Sequence, residues 1–326
     1  MSTAPSGRST RRSSLAAEAR IGIVGATGAV GTITLALLRE RGYRNVRVFA
    51  SARSAGRELD GLTVEEATPE ALGAGELDLC LFSVGAEASR ELVPVAAGAG
   101  AVCIDKSSAF RLEPGVPLVV PEVNGARAAE HDGIVANPNC CAIPLTCALK
   151  PLHDAAGLVR VRVATYQSAS GAGAQAMERL RAQSQEENDL QMDWSFDGFE
   201  FEEEEKLREE TRKILELPGL PVSATCVRVP VLVGHAEAIW LETKEPLSAE
   251  AATALLREAP GIELEQFPTP GGAAGRDDVL VGRIREDSAA GNGLALFVAA
   301  DNLRKGAALN AIQIAELLLR EQRVAA

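Results

Sequence analysis

The 326-residue chain is 46% hydrophobic and 24% charged, the profile of a soluble globular protein long enough for two domains with separate cores. Its net charge of −12 excludes a nucleic-acid or anionic-membrane partner drawn in by an overall positive field, though a few local arginines suffice for small anions. No apolar run approaches the length of a membrane span.

Residues 1–20 are rich in Ser, Thr, Arg and Ala and lack an apolar segment. They read as a disordered arm, with an organelle transit peptide as the alternative and a secretory signal excluded. From Ile21 onward, Ile21–Val24, Val46–Ala50, Asp78–Val84 and Ala101–Asp105 read as strands, with helices at Val30–Arg41 and Ala86–Ala99. That alternation predicts an α/β fold with a doubly wound, Rossmann-type parallel sheet. A helix is expected over Cys140–Leu149. The strand candidates then follow in closer succession: Val159–Ser168, Cys226–Val233, Ala236–Thr243, Ile262–Phe267, Val279–Arg285 and Leu294–Ala300. They predict a second, α+β domain with a mostly antiparallel sheet. The acidic run Glu202–Glu205 opens a helix reaching Leu215, and Lys305–Leu319 has the period of an amphipathic helix. The six cysteines (80, 103, 140, 141, 147 and 226) sit mostly in apolar runs, as in reduced cytoplasmic proteins.

Ile21 to Gly31 runs from a strand through a glycine loop into a helix. Gly25 and Gly28 would let the backbone approach a pyrophosphate, and Gly31 would let helix and strand pack closely. Where the following strand ends, an acidic residue would meet the ribose 2′-hydroxyl of NAD. This chain has Ser51, Arg53 and Ser54 instead, a set that suits the 2′-phosphate of NADP.

Asn137-Pro138-Asn139-Cys140 places one thiol behind a turn, at the mouth of a helix. Helix N-termini favour a thiolate, and a thiolate can carry an acyl group. The bland alternative is a small core cysteine after a turn. Of three histidines, His235 follows the Cys226–Val233 run, and Arg228 stands seven residues before it. In an unbroken strand those two would face opposite sides, so Pro230, a turn or a bulge must intervene.

Several runs together resemble one family, the aspartate-semialdehyde dehydrogenases. They are Gly25–Gly31, Ser107–Arg111, Val120–Asn124, Asn137–Cys140, Tyr166–Gly173, Glu210–Ile214, Cys226–Pro230 with Gly234-His235, and Asp301–Ala308. The resemblance implies NADPH-dependent reduction of β-aspartyl phosphate to aspartate β-semialdehyde through a thioester on Cys140. His235 would be the acid–base residue, and Gln167 would orient the acyl group. It assigns Arg228 to the substrate carboxylate. Glu203 and Lys206 would meet the substrate ammonium and phosphate, with Arg111 and Asn139 also on the phosphate side. Gly25, Thr27, Gly28, Ala29, Val30, Gly31, Ser83, Gly85, Ser170, Gly171 and Asn302 would line the cofactor. It further implies a homodimer, no metal, and a division into a nucleotide-binding part (21–139 with 302–326) and a catalytic and dimerisation part (140–301). Two alternatives stand beside it. One is an N-acetylglutamyl-phosphate reductase-like enzyme, whose usual Gly-Cys-Tyr-Pro-Thr context is missing here. The other is a non-catalytic NADP-binding redox regulator, disfavoured by the joint presence of Cys140, Gln167, Arg228 and His235. Cys141 stands where the family often has a small hydroxyl residue. Packing is the reading favoured for it over a vicinal disulfide.

Overall fold

The computed structural model describes residues 18–182 and 189–325, so most of the expected N-terminal arm lies outside the described residues. Its contacts divide the chain into two units, one of residues up to 116 with 131–136, the other of 117–130 with 137–326. The division differs from the expected one in residues 117–130, 137–139 and 302–326, which all group with the second unit.

The first unit contains β1 (Ile21–Val24), α1 (Ala29–Glu40), β2 (Val46–Ala50), the small pair β3 (Glu58–Leu59) and β4 (Leu62–Thr63), and β5 (Glu65–Glu66). After a single helical turn at Pro69–Leu72 come β6 (Leu79–Phe82), α2 (Ala86–Gly98), β7 (Val102–Asp105) and β8 (Ile134–Ala136). Six strands form one sheet in the order β5-β2-β1-β6-β7-β8, every pairing parallel. β1, β6 and β7 are buried at every position, which is why they read as unbroken apolar runs rather than alternating ones. The strand order reverses between β1 and β6, and ligands of such sheets bind beyond the strand ends at that switch.

The second unit holds α3 (Ala142–Ala156), β9 (Leu158–Gln167), α4 (Ala174–Arg181), α5 (Glu202–Leu215), β10 (Val222–Arg228) and β11 (His235–Thr243). α6 (Ala249–Glu258), β12 (Ile262–Leu264), β13 (Val279–Glu286), β14 (Gly293–Ala300) and α7 (Leu309–Ala325) follow. Its sheet runs β10-β9-β11-β14-β13-β12. The inner pairings are antiparallel, while the edges β10 and β12 lie parallel to their neighbours. The sheet is therefore mixed. α3 is buried at every position from Ala142 to Leu149, so it is a central helix with apolar residues all round.

Three of the departures from the expected bounds lie beside the residues of chemical interest. α3 begins at Ala142, leaving Cys140 in the turn before it, and continues past Leu149 to Ala156. The strand expected to reach Val233 stops at Arg228. Pro230 has no N–H to donate, and the chain instead crosses the end of β9, with Val229 N donating to Gln167 O (2.8 Å) and Ala169 N to Val231 O (2.8 Å). The C-terminal helix opens with a π-helical turn, Arg304–Ala308, where Asp301 Oδ1 accepts from the N–H groups of Leu303 and Arg304 (both 2.9 Å).

Candidate active site

The side chains with chemistry in the second unit come from five places: the turn before α3, the end of β9, the start of α5, and the facing ends of β10 and β11. β9 lies between β10 and β11, with Gln167 opposite Arg228 and Tyr166 opposite Ala236. The odd spacing of Arg228 and His235 is thereby resolved, since they sit on different strands at the same end of the sheet.

Asn139 builds the turn that presents Cys140. Its Oδ1 accepts from Cys141 N (2.7 Å) and its own N–H donates to Glu210 (2.6 Å). Gly306, in the π-helical turn, packs against the same residue: a Cβ there would stand 3.1 Å from Cys140 Cβ. The Sγ atoms of Cys140 and Cys141 and a ring nitrogen of His235 lie within 4.8 Å of one another. Cys140 is partly exposed, whereas Cys141 is buried. Burial, then the neighbouring Cys140 sulfur, holds the Cys141 thiol well above the usual range, so it packs as a protonated thiol.

His235 is buried, and its Nδ1 accepts from Ser168 N (2.9 Å) and lies 3.1 Å from Ser168 Oγ. A backbone N–H can only donate, so this network assigns the proton of the neutral ring to Nε2. That nitrogen is buried without a hydrogen-bond partner among the described residues. Asn302 fixes the loops behind it: its Oδ1 accepts from Gly234 N (2.9 Å), Ser168 Oγ (3.2 Å) and Ser170 Oγ (3.1 Å). Gly171 lies against both functional groups, because a Cβ there would stand 3.1 Å from His235 Nε2 and 3.2 Å from Arg228 Nη1.

The acidic run resolves into separate jobs. Glu202 pairs with Lys206 one turn on (2.6 Å), in the half-exposed position of a solvated helix face. Glu203 is buried, and its Oε1 accepts from Asn139 Nδ2 (2.9 Å) and Gln167 Nε2 (3.2 Å). Glu204 reaches back to Phe201 N (2.9 Å) and across to Cys226 N (2.9 Å), tying α5 to β10. Arg228 is 5% exposed. Its Nη1 donates to Ser168 O (3.0 Å), while Nε and Nη2 donate to Asp193 (2.9–3.1 Å).

Sequence reasoning missed Asp193 and, two residues beyond His235 on the same face of β11, Glu237. The latter is 1% exposed, and among the described residues neither carboxyl oxygen has a hydrogen-bond partner. Burial first, then the Cys140 sulfur, raises its pKa well above the ordinary value. The available signal was an acid placed within the apolar run Ala236–Leu241.

In the first unit, Gly25 has φ +86°, and a Cβ on it would lie 2.4 Å from Ser83 O. A Cβ on Gly31 would lie 2.2 Å from Gly25 O, the close helix–strand approach expected of that glycine. Gly28 and Gly85 are the N-caps of α1 and α2, and neither helix has a side-chain cap. The helices that follow both switch-point strands thus open with bare backbone N–H groups, a fit for phosphate oxygens. Thr27 and Gly28 are exposed there, and Ala29 and Val30 half-buried. Ser51 and Arg53 are exposed after β2, while Ser54 is buried with its N–H on Ser51 O (2.8 Å). Lys106, also missed, donates from Nζ to Ser83 Oγ (2.8 Å) and is pushed down to about 7 by burial, against the opposing pull of Asp105. Arg111 belongs to this unit and donates from Nη2 to Lys106 O (2.7 Å).

The family described as semialdehyde dehydrogenase, NAD binding domain, matches residues 20–131. The semialdehyde dehydrogenase dimerisation domain matches residues 149–197 and 195–305. An aspartate-semialdehyde dehydrogenase of Streptomyces akiyoshiensis is 50% identical over 93% of this chain and 99% of its own length. One from Aquifex aeolicus is 44% identical, over 93% of this chain and 98% of its own length. Among solved structures, aspartate semialdehyde dehydrogenase II of Vibrio cholerae complexed with ASA is 43% identical with a TM-score of 0.87, over 92% of this chain and 98% of that one. The Candida albicans enzyme with NADP is 28% identical, with a TM-score of 0.73 over 91% of this chain and 97% of that one.

Proposed function

The chain belongs to the semialdehyde dehydrogenase family, and from that premise we propose that it is an NADP-dependent aspartate-semialdehyde dehydrogenase working through a thioester on Cys140. The observation that carries this reading is the meeting of Cys140, His235, Gln167, Glu203 and Arg228 around one turn, together with the relatives' names. Cys140 is the more exposed of the two thiols that lie within 4.8 Å of a His235 ring nitrogen. Its thiolate attacks the acyl carbon of β-aspartyl phosphate and phosphate leaves, giving the thioester. With Nδ1 committed to Ser168 N–H, His235 presents Nε2–H toward the sulfur. It donates first to the thiolate and then to the oxygen that gains charge, and recovers the proton as the sulfur departs. Gln167, tied to Glu203, orients the acyl group. Arg228 takes the substrate carboxylate, and Glu203 the ammonium. Lys206, Arg111 and Asn139 serve the phosphate.

The glycine loop and the open N-termini of α1 and α2 fit a dinucleotide, which supplies the hydride when bound. Gly25, Thr27, Gly28, Ala29, Val30 and Gly31 hold its pyrophosphate, Ser51, Arg53 and Ser54 its 2′-phosphate, and Ser83 and Gly85 line its path. Ser170, Gly171 and Asn302 complete the cofactor side. The working protein is a cytoplasmic homodimer, a reading supported by the dimerisation-domain match and by six cysteines that remain thiols. Among the described residues no helix is long and apolar enough to cross a membrane.

The test is NADPH formation with phosphate and NADP, comparing aspartate semialdehyde with N-acetylglutamate semialdehyde. Turnover should favour the free amino acid. Preference for the acetylated aldehyde would overturn the substrate assignment, and NADP binding without turnover of either would overturn the enzymatic reading.

A further inference from the structure

Arg228 is gripped from three directions by one short segment. Gln191 and Arg228 exchange backbone hydrogen bonds, Gln191 N to Arg228 O (3.1 Å) and Arg228 N to Gln191 O (2.8 Å). Two residues on, the Asp193 carboxylate accepts from Nε (3.1 and 2.9 Å) and from Nη2 (2.9 Å). The Trp194 ring lies under the guanidinium, 4.8 Å from its carbon to the ring centroid. The Arg228 side chain is 6% exposed and that of Asp193 36%. The carboxylate therefore bridges a buried cation to the solvent side.

A guanidinium has five N–H donors. Asp193 takes Nε–H and one hydrogen of Nη2, and Ser168 O takes one of Nη1. Among the described residues this leaves one N–H on each terminal nitrogen, the pair that grips a carboxylate in parallel. Asp193 also keeps a nearly buried cation paired before substrate arrives, where an isolated charge would be costly.

We propose that Asp193 is a positioning residue that sets affinity for the substrate carboxylate, holding Arg228 by its Nε/Nη2 edge, with Trp194 fixing the plane. The proposal rests on reading Arg228 as the carboxylate ligand. No proton moves in this role, so its signature belongs in KM rather than kcat. Asp193→Asn keeps the shape and removes the charge that anchors the fork. We expect KM for aspartate semialdehyde to rise about tenfold, the scale of one charge-assisted contact, with kcat within about threefold and KM for phosphate unchanged. Trp194→Phe should give a smaller rise in the same parameter.

The control substrate is 3-aminopropanal, which has the amine and aldehyde but no carboxylate. Wild type and Asp193→Asn should use it equally well. An unchanged or lower KM for aspartate semialdehyde would overturn the proposal, a lower one meaning that Asp193 competes with substrate. An equal loss with both aldehydes would reduce Asp193 to a general structural contact and likewise overturn it. Arg228→Lys separates the two layers. If it leaves the KM for aspartate semialdehyde unchanged, the reading of Arg228 fails. If it raises that KM while Asp193→Asn does not, only the role of Asp193 fails.

Discussion

The glycine loop of the first unit and the cysteine turn of the second both place backbone N–H groups near a helix start, yet they are built in opposite ways. The loop is made by subtraction: Gly25 and Gly31 leave out side chains that would collide with Ser83 O at 2.4 Å and Gly25 O at 2.2 Å, and its glycines lie within seven consecutive residues. The cysteine turn is made by addition. Asn139 is held by Glu210 and Glu203 from α5, and His235 by Ser168, whose hydroxyl in turn donates to Asn302. The first arrangement is mostly local, with the backbone at Ser83 its distant neighbour. The second is a network in which removing one member releases others.

The sharpest way to break that contrast is at the two adjacent thiols. Cys140→Ala should lower turnover by at least about 10⁴-fold, a scale set by loss of covalent catalysis. NADPH binding, followed by fluorescence titration, should stay within about twofold, because the glycine loop does not use the thiol. Cys141→Ala should keep most activity, since that thiol only packs. Comparable loss in both variants would mean that the turn, and not the nucleophile, is what the substitution destroys.

An intermediate effect is expected at the exposed arginine after β2. Arg53→Ala should raise the KM for NADP about 10- to 100-fold over its effect on NAD, the worth of a charge-assisted contact of about 1.5–3 kcal/mol. Equal use of both cofactors by the wild type would show that Ser51, Arg53 and Ser54 do not read the 2′-phosphate.

The smallest effect concerns stability. The pKa of Glu237 is raised in the folded protein, so both states are protonated at low pH. As pH climbs past the ordinary carboxyl value, the unfolded chain ionises while the folded one holds its proton, and stability falls. Glu237→Gln removes that loss. Its melting temperature relative to wild type should climb as the pH is raised above about 4, the ordinary carboxyl value. A constant offset across that range would show that Glu237 contributes through shape and not through its proton.

Most of the parallel sheet was legible, because strands buried on both faces announce themselves as apolar runs and glycine loops are sequence-local. Glu203 could be picked from four consecutive glutamates only by its distance from Arg228 within the family pattern. What separates it physically is burial against Asn139 and Gln167, while Glu202 faces solvent and Glu204 caps its own helix. The strand end at Arg228 was overrun in the sequence reading because Val229, Val231 and Val233 continue an apolar alternation. Only the missing N–H of Pro230 and the crossing of β9 stop it.

The sequence by itself determined the glycine loop, the choice of Cys140 as the candidate nucleophile and the class of chemistry, since each depends on residues adjacent in the chain or on a family pattern. Tertiary structure alone decided which side chains meet. Arg228 and His235 face one site because β9 comes between their strands. The His235 proton sits on Nε2 because Ser168 N–H, 67 residues away in the chain, can only donate. Asp193 clamps Arg228 because its segment bridges to the end of β10. Such outcomes turn on hydrogen-bond direction and on burial between residues far apart in the chain, and neither has a local signature for a sequence to carry.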